Sequence, residues 1–386
     1  MQQLSEAEHQ RVASAGLSIE KVAQLLQRAG QEVREGLLPA AQIAMAHQGE
    51  VLFQRSFGTA TDTSLTCIFS ATKAITSAAA WLLLQEGKLS EAERVGDIVE
   101  GFLDNGKEAV TVEQLFTHTA GFPSAPFAPA DWDDRSARYA RFRRWHLNWP
   151  PGDRFEYHPS SSMWVVADII EQRSGMGFRE FVRERIIQPL GLGHLFVGLP
   201  ESEQHRALAC EHVGEPLGPE DYRRLEMPVP PKTEVTEEAI LSFNRPEIRA
   251  VGSPGGGGFA NAASLALFHQ ALLHGGLQGT QLWEATTLAN AKRIRSGQLT
   301  DPVYKKLANR ALGLIISGDD SRSFRGFGKT NSPAAFGHNG AGGQLAWTDP
   351  ASGLSLVYLT PGHDRNSIRQ GRRGVAISSL AGECMA

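Results

Sequence analysis

Between residues 18 and 28 the apolar positions Ile19, Val22, Ala23, Leu25 and Leu26 recur at helical spacing behind a serine placed to cap, and this predicts an amphipathic helix. Two strands follow. Residues 41–47 and 51–57 flank Gln48-Gly49-Glu50 and end at Gly58, the pattern of a β-hairpin. From about 70 to 85 the chain is rich in Ala and Leu, is apolar on nearly every side and closes at Gly87, which predicts a buried helix. Helical patterns dominate from about 97 to 200, clearest at 164–172 and at 178–187, the latter stopped by Pro189 and Gly191. Residues 198–249 are mixed, with Pro228, Pro230 and Pro231 close together, and read as irregular connections. A four-glycine run, 255–258, then precedes a helix through Leu265, Phe268 and Leu272. Residues 312–317, 345–348 and 354–359 read as strands, the last two joined by a turn over 349–353, and a weaker helix closes the chain.

A hairpin at one end and strands at the other most economically share one sheet. The expected fold is α+β: a central antiparallel β-sheet flanked by helices, built from residues 1–95 and 245–386, with a mostly helical second domain, 96–244, inserted. A length of 386 residues suits this, and with 41% hydrophobic and 21% charged residues disordered, collagen-like and coiled-coil classes drop out. Net charge is −4 with the two signs interspersed, so no nucleic-acid partner is expected. The three cysteines, Cys67, Cys210 and Cys384, are odd in number, far apart in sequence and in no metal-ligand spacing. No metal site, cofactor motif or disulfide framework is expected. The polar N-terminus lacks the apolar core of a secretory signal and the longest nearly apolar run, 74–84, is too short to span a bilayer, giving the expectation of a cytoplasmic protein with no membrane partner. The anticipated ligand is a small molecule; the pattern does not set the oligomeric state.

The sharpest chemical signal is Ser70-Ala71-Thr72-Lys73 at the start of the buried helix. A separation of three puts both side chains on one helical face, so the Lys73 amine can reach the Ser70 hydroxyl and take its proton. The same helix end aims backbone N–H groups at an oxyanion. By itself Ser-x-x-Lys is a common coincidence, with Ser70 a cap and Lys73 a solvated residue as the plain alternative. The stretch Ile68-Phe69-Ser70-Ala71-Thr72-Lys73-Ala74-Ile75-Thr76 resembles the nucleophile segment of the serine β-lactamase and penicillin-binding protein superfamily. Three further stretches extend the resemblance in order. Leu115-Phe116-Thr117-His118-Thr119-Ala120-Gly121-Phe122 is similar to a structural stretch of the class C β-lactamase and family VIII carboxylesterase group. Pro151-Gly152-Asp153-Arg154-Phe155-Glu156-Tyr157 resembles that group's approach to its tyrosine, and Phe336-Gly337-His338-Asn339-Gly340-Ala341-Gly342-Gly343 its His-x-Gly motif.

The resemblance implies that Ser70 is acylated, that Lys73 accepts its proton and that Tyr157 relays a proton to the leaving group. It implies an oxyanion hole from the Ser70 and Ala341 N–H groups, and substrate contacts at His338 and Gly340. The segment 122–129 is expected to overhang the pocket, which makes Phe127 a candidate for acyl-chain contact. Two departures matter. Tyr157-His158-Pro159 stands where relatives have Tyr-x-Asn, and proline cannot give the amide hydrogen bonds of that asparagine. His338 stands where β-lactamases and peptidases usually carry lysine, and a neutral imidazole suits uncharged esters. Both favour a small-molecule ester as substrate and a carboxylesterase acting through an acyl-enzyme. An acyltransferase, a β-lactamase or D,D-peptidase, and a non-catalytic binding protein are the competing readings. Lys329-Thr330-Asn331 is a decoy for a Lys-Thr-Gly box, and the 255–258 run lacks the spacing of a phosphate cradle and reads as a close backbone approach to sheet or site. The charged stretch from Asp131 to Arg144 reads as a solvated helical segment.

Overall fold

The computed structural model describes residues 4–227, 229 and 235–385. Helix α1, Glu6–Ser14, opens the described chain; a capping box closes its start, with the Glu8 N–H donating to Ser5 Oγ and the Ser5 N–H donating to Glu8 Oε2. The expected amphipathic helix follows as α2, Ile19–Ala29, capped by Ser18. The hairpin is β1, Ala40–His47, and β2, Glu50–Gly58. Next come α3, Thr72–Gln85, α4, Ser161–Ser174, and α5, Ala262–His274. The chain ends with β3, Ile315–Ile316, β4, Phe336–Gly337, β5, Leu345–Asp349, β6, Leu354–Leu359, and α6, Ser367–Gly382.

The strands form one antiparallel sheet of six in the order β2-β1-β6-β5-β4-β3, so the first hairpin closes directly on the last. Strand β1 is covered on both faces, and its alternation divides its side chains between two layers. Ala41, Ile43 and Met45 pack with Val22, Leu25 and Ile377 beneath α2 and α6, whereas Ala44 and Ala46 pack with Leu265, Phe268 and Trp81 of α5 and α3. The helix α3 is buried from Thr72 to Leu83, as an all-round apolar sequence requires, and packs on α4. Its hydrophobic cluster is continuous from the sheet to Trp132, Phe142 and Trp164 of the helical region.

Three departures have identifiable causes. The strand expected over 312–317 pairs only at Ile315–Ile316, because Ala311 to Leu314 form a tight turn (Ala311 N–H to Leu314 O, 3.0 Å) with Gly313 at φ +76°. Residues 198–249 hold short elements rather than none: Glu211–Val213 pairs in parallel with Gly362–Asp364, and the helices Pro219–Arg224, Glu237–Ser242 and Pro246–Val251 follow. Of the prolines noted there, Pro228, Pro230 and Pro231 lie outside the described residues. The charged stretch is not fully solvated, since Arg138, Tyr139 and Phe142 turn the helix Arg135–Arg144 inward. Arg138 reaches Glu171 at 2.8 Å and Asp168 at 3.2 Å, and its guanidinium lies 4.1 Å from the Trp132 ring centroid. The weaker closing helix is present and spans sixteen residues.

Candidate active site

A second small sheet positions the nucleophile. Thr66–Cys67 pairs with Gly258–Ala260, which pairs in turn with Leu195–Val197, and Ile68 N–H continues the ladder to Gly258 O at 2.9 Å. The chain then turns sharply through Phe69, whose φ of +43° is rare for a residue with a side chain. That conformation is held on two sides. Phe243 packs edge-on against the Phe69 ring at 5.6 Å, and Thr72 Oγ1 donates to Phe69 O at 2.6 Å while accepting from Gly258 N–H at 2.9 Å. Ser70 therefore sits in a 3-10 turn, Phe69–Ala71, immediately before α3.

Lys73 is buried and holds three contacts: Pro159 O at 2.5 Å, Gly255 O at 2.7 Å and Ser70 Oγ at 3.3 Å. Two carbonyls accept two of its protons, so the third position of the nitrogen, a proton in the ammonium or a lone pair in the amine, faces the Ser70 hydroxyl. Tyr157 OH lies 2.9 Å from Ser70 Oγ, and its ring centroid 5.1 Å from Lys73 Nζ. Two sequence features thus gain a physical role. Pro159 supplies its carbonyl to Lys73, and the glycine run brings the backbone of Gly255 against the same amine.

The His-x-Gly motif reaches the same place from the sheet. Gly340 N–H donates to Gln344 O at 2.9 Å, and Gly340 O accepts from Gly343 N–H at 3.2 Å. Across a trans peptide the Ala341 N–H points opposite to the Gly340 carbonyl, away from that turn. Gln344 Oε1 accepts from Gly342 N–H at 2.8 Å, Gln344 Nε2 is anchored on Thr360 O at 2.8 Å, and Gln370 Nε2 of α6 donates to Ala341 O at 3.2 Å. A side chain at position 340 would lie 2.5 Å from Ile68 O, so only glycine lets this loop close against the nucleophile turn.

The histidines around the site are neutral. Burial, with the charge of Arg310 next, holds His118 and His338 well below the usual imidazole range, and burial brings His158 down to about 4. His338 Nδ1 lies 2.9 Å from Asn339 O and so carries the hydrogen, leaving Nε2 as a buried acceptor with no partner among the described residues. His118, from the stretch read as structural, accepts at Nδ1 from His158 N–H at 3.2 Å, and its ring lies 4.8 Å from that of Tyr157.

Ser70 and Ala341 border two pockets. One, of about 250 Å³, is walled by Phe69, Phe127, Trp164, Ile240, Phe243 and Ile248. The other, of about 360 Å³, is bordered by Tyr157, His338, Gly340, Asn339, Arg310 and Asp301. The structure therefore gathers Ser70, Lys73, Tyr157, His338, Gly340 and Ala341 around one point and places Phe127 on the apolar side, stacked on Trp164 at 4.5 Å. Lys329 and Thr330 bond to Ser379 and border neither pocket. Sequence reasoning missed Arg310, Gln344 and Gln370; Gln344 follows the glycine motif directly, whereas Arg310 and Gln370 belong to no local pattern.

Among described residues no helix is long and apolar enough to cross a membrane. The family model described as Beta-lactamase matches residues 21–380. A protein of Escherichia coli (strain K12), provisionally named a D-alanyl-D-alanine carboxypeptidase, is 24% identical over 90% of this chain and 83% of its own length. The crystal structure of a penicillin-binding protein homologue from Caulobacter crescentus superposes with a TM-score of 0.76 at 27% identity, covering 95% of this chain and 98% of that one. That of a family VIII carboxylesterase superposes with a TM-score of 0.77 at 24% identity, covering 94% and 98%.

Proposed function

Since the chain belongs to the beta-lactamase family and is a serine hydrolase of that fold, we propose that it cleaves small carboxylic esters through an acyl-enzyme on Ser70. The observation that carries this reading is the triangle at the nucleophile, with Ser70 Oγ 3.3 Å from Lys73 Nζ and 2.9 Å from Tyr157 OH. In the first step Ser70 Oγ attacks the ester carbonyl and passes its proton to Lys73, the oxyanion being held by the Ser70 and Ala341 N–H groups. The tetrahedral adduct then expels the alcohol, whose oxygen takes the proton of Tyr157, and Lys73 returns its proton to the phenolate. Water attacks the acyl-enzyme by the same steps in reverse order, releasing the acid and restoring Ser70.

Two features support an ester over a β-lactam. Position 159 offers only a carbonyl, already engaged by Lys73, so no side-chain amide stands ready for an amide substrate. Position 338 offers a neutral imidazole. The test is intact-protein mass spectrometry after brief incubation with a p-nitrophenyl short-chain ester and, separately, with a penicillin, following product release. Rapid ester turnover with an adduct that disappears in Ser70→Ala, and a penicillin adduct absent or inert, is the expected result. Penicillin turnover at a comparable rate would overturn it, and product partitioning toward added alcohols would identify an acyltransferase instead.

A further inference from the structure

The two pockets that meet at Ser70 differ in chemistry, and the proton donor sits in only one of them. Tyr157 borders the larger pocket and not the aromatic one. A group that protonates the departing oxygen must touch it, so on the ester-hydrolase reading the alcohol leaves through the larger pocket, and the lining of that pocket selects the alcohol.

Several polar groups of this pocket are held in place yet left open. Asp301 Oδ1 closes the turn over 301–304, accepting from the Val303 and Tyr304 N–H groups at 2.8 and 3.1 Å, whereas its Oδ2 has no partner among the described residues and is not sealed from solvent. Asn339 is fixed in the same manner: its Nδ2 donates to Arg325 O and Gly326 O at 3.3 Å each, and its Oδ1 stays open. Lys306 Nζ lies 5.8 Å from the Phe324 ring centroid and has no carboxylate partner among the described residues. Charges of opposite sign therefore border one space, Asp301 against Lys306 and against Arg310, whose pKa burial lowers only to about 10. An alcohol carrying a charge of either sign meets a like charge there, whereas a neutral hydroxyl donates to Asp301 or Asn339 and accepts from Lys306.

The same pocket carries an open aromatic platform. Tyr304 and Phe324 are 40% and 47% exposed, and their ring centroids lie 5.4 Å apart. Both rings also border a groove of about 680 Å³ along α6, so the platform continues past the pocket. Bare rings beside open hydrogen-bonding groups suit a ligand that has apolar C–H faces and a rim of hydroxyls at once.

We infer that the alcohol portion of the substrate ester is a neutral polyol of the saccharide class, stacked on Tyr304 and Phe324 and hydrogen-bonded to Asp301 and Asn339. The inference rests on the ester-hydrolase reading, and the experiment separates the two. Wild type, Asp301→Asn and Phe324→Ala are compared on methyl 6-O-acetyl-glucopyranoside and on cyclohexylmethyl acetate, which keeps the six-membered ring and the primary ester but lacks the hydroxyls. Acetylcholine and p-nitrophenyl acetate complete the set. Asparagine at position 301 keeps the oxygen that closes the turn and replaces only the open one, by a donor. A site built for hydroxyls predicts that wild type favours the glycoside over its hydroxyl-free analogue by roughly ten- to a hundredfold in kcat/KM. That ratio falls about tenfold in Asp301→Asn, while cyclohexylmethyl acetate and p-nitrophenyl acetate keep about their wild-type rates. Phe324→Ala, at an exposed position, lowers glycoside turnover as well and supplies the answer if Asp301→Asn does not fold. A wild-type ratio near or below one, a ratio unmoved by Asp301→Asn, a preference for acetylcholine, or turnover of p-nitrophenyl acetate alone overturns the inference. Should none of the four esters turn over, the hydrolase reading fails, and saturation-transfer NMR with methyl glucopyranoside still reads the site. Transfer that weakens in Asp301→Asn supports the polyol site; transfer absent from wild type, or equal in wild type and variant, overturns it.

Discussion

Two basic side chains lie over the Tyr157 ring, Lys73 Nζ at 5.1 Å and Arg310 Cζ at 5.4 Å, and two neutral histidines pack beside it. The ring is therefore held by packing that does not need its hydroxyl. Tyr157→Phe should fold as the wild type does and lose roughly 10²- to 10⁴-fold in kcat/KM, the range for a lost general acid or base. The loss is expected to be greater for an ethyl ester than for a p-nitrophenyl ester, because an alkoxide needs the proton and a nitrophenolate departs without it. Equal losses on both esters would make Tyr157 a positioning residue only, and a wild-type rate would remove it from the chemistry. Ser70, Lys73, Tyr157 and His338 were legible because each stands inside a short local motif. Arg310 was not legible. It lies over a tyrosine 153 positions earlier, a relation only the fold creates, and nothing flanking it in sequence marks it.

At the scale of elements, what was legible is what periodicity alone determines. Helix α3 is buried from Thr72 to Leu83 and its sequence is apolar on nearly every side, so pattern and structure agree. The closing helix α6 was weak in sequence because its buried face carries Arg373 and Ser378 beside Ile377 and Ala381; its packing against α2 stabilises it instead. The shortening of β3 turned on one contact that no sequence pattern shows. A Cβ added at Gly313 would lie 1.8 Å from Ser77 Oγ and 2.6 Å from Ser77 Cβ of α3, at a φ that disfavours any side chain. Gly313→Ala should therefore cost about 3 kcal/mol, combining positive-φ strain with overpacking. The check is the urea midpoint of Gly313→Ala alone and with Ser77→Gly. The second change should recover the part due to the clash and leave the part due to strain. An unchanged midpoint in the single variant would mean that the turn is not fixed by this packing.

For the whole molecule the buried histidines couple stability to pH. His158 and His269 are fully buried, and burial brings their pKa values down to about 4 and about 3. Each is neutral in the folded chain and regains the ordinary value near 6.5 on unfolding, so between the two values the unfolded chain binds more protons. Stability from this source is complete above pH 6.5 and is lost as the pH falls toward 4 for His158 and toward 3 for His269. The slope is about 1.4 kcal/mol per pH unit for each histidine. His269 is the cleaner probe, because both its ring nitrogens lack partners among the described residues whereas His158 Nε2 accepts from Phe122 N–H at 3.1 Å. It lies on α5, the helix that covers one face of the sheet, so its protonation opposes the packing of the entire molecule rather than of one loop. His269→Leu should unfold at a higher temperature than wild type at pH 5 and show a flatter dependence of the midpoint on pH between 6.5 and 5. Calorimetric scans across that range decide it: parallel curves for the two proteins would mean that His269 takes up no proton on unfolding and that the acid sensitivity lies elsewhere.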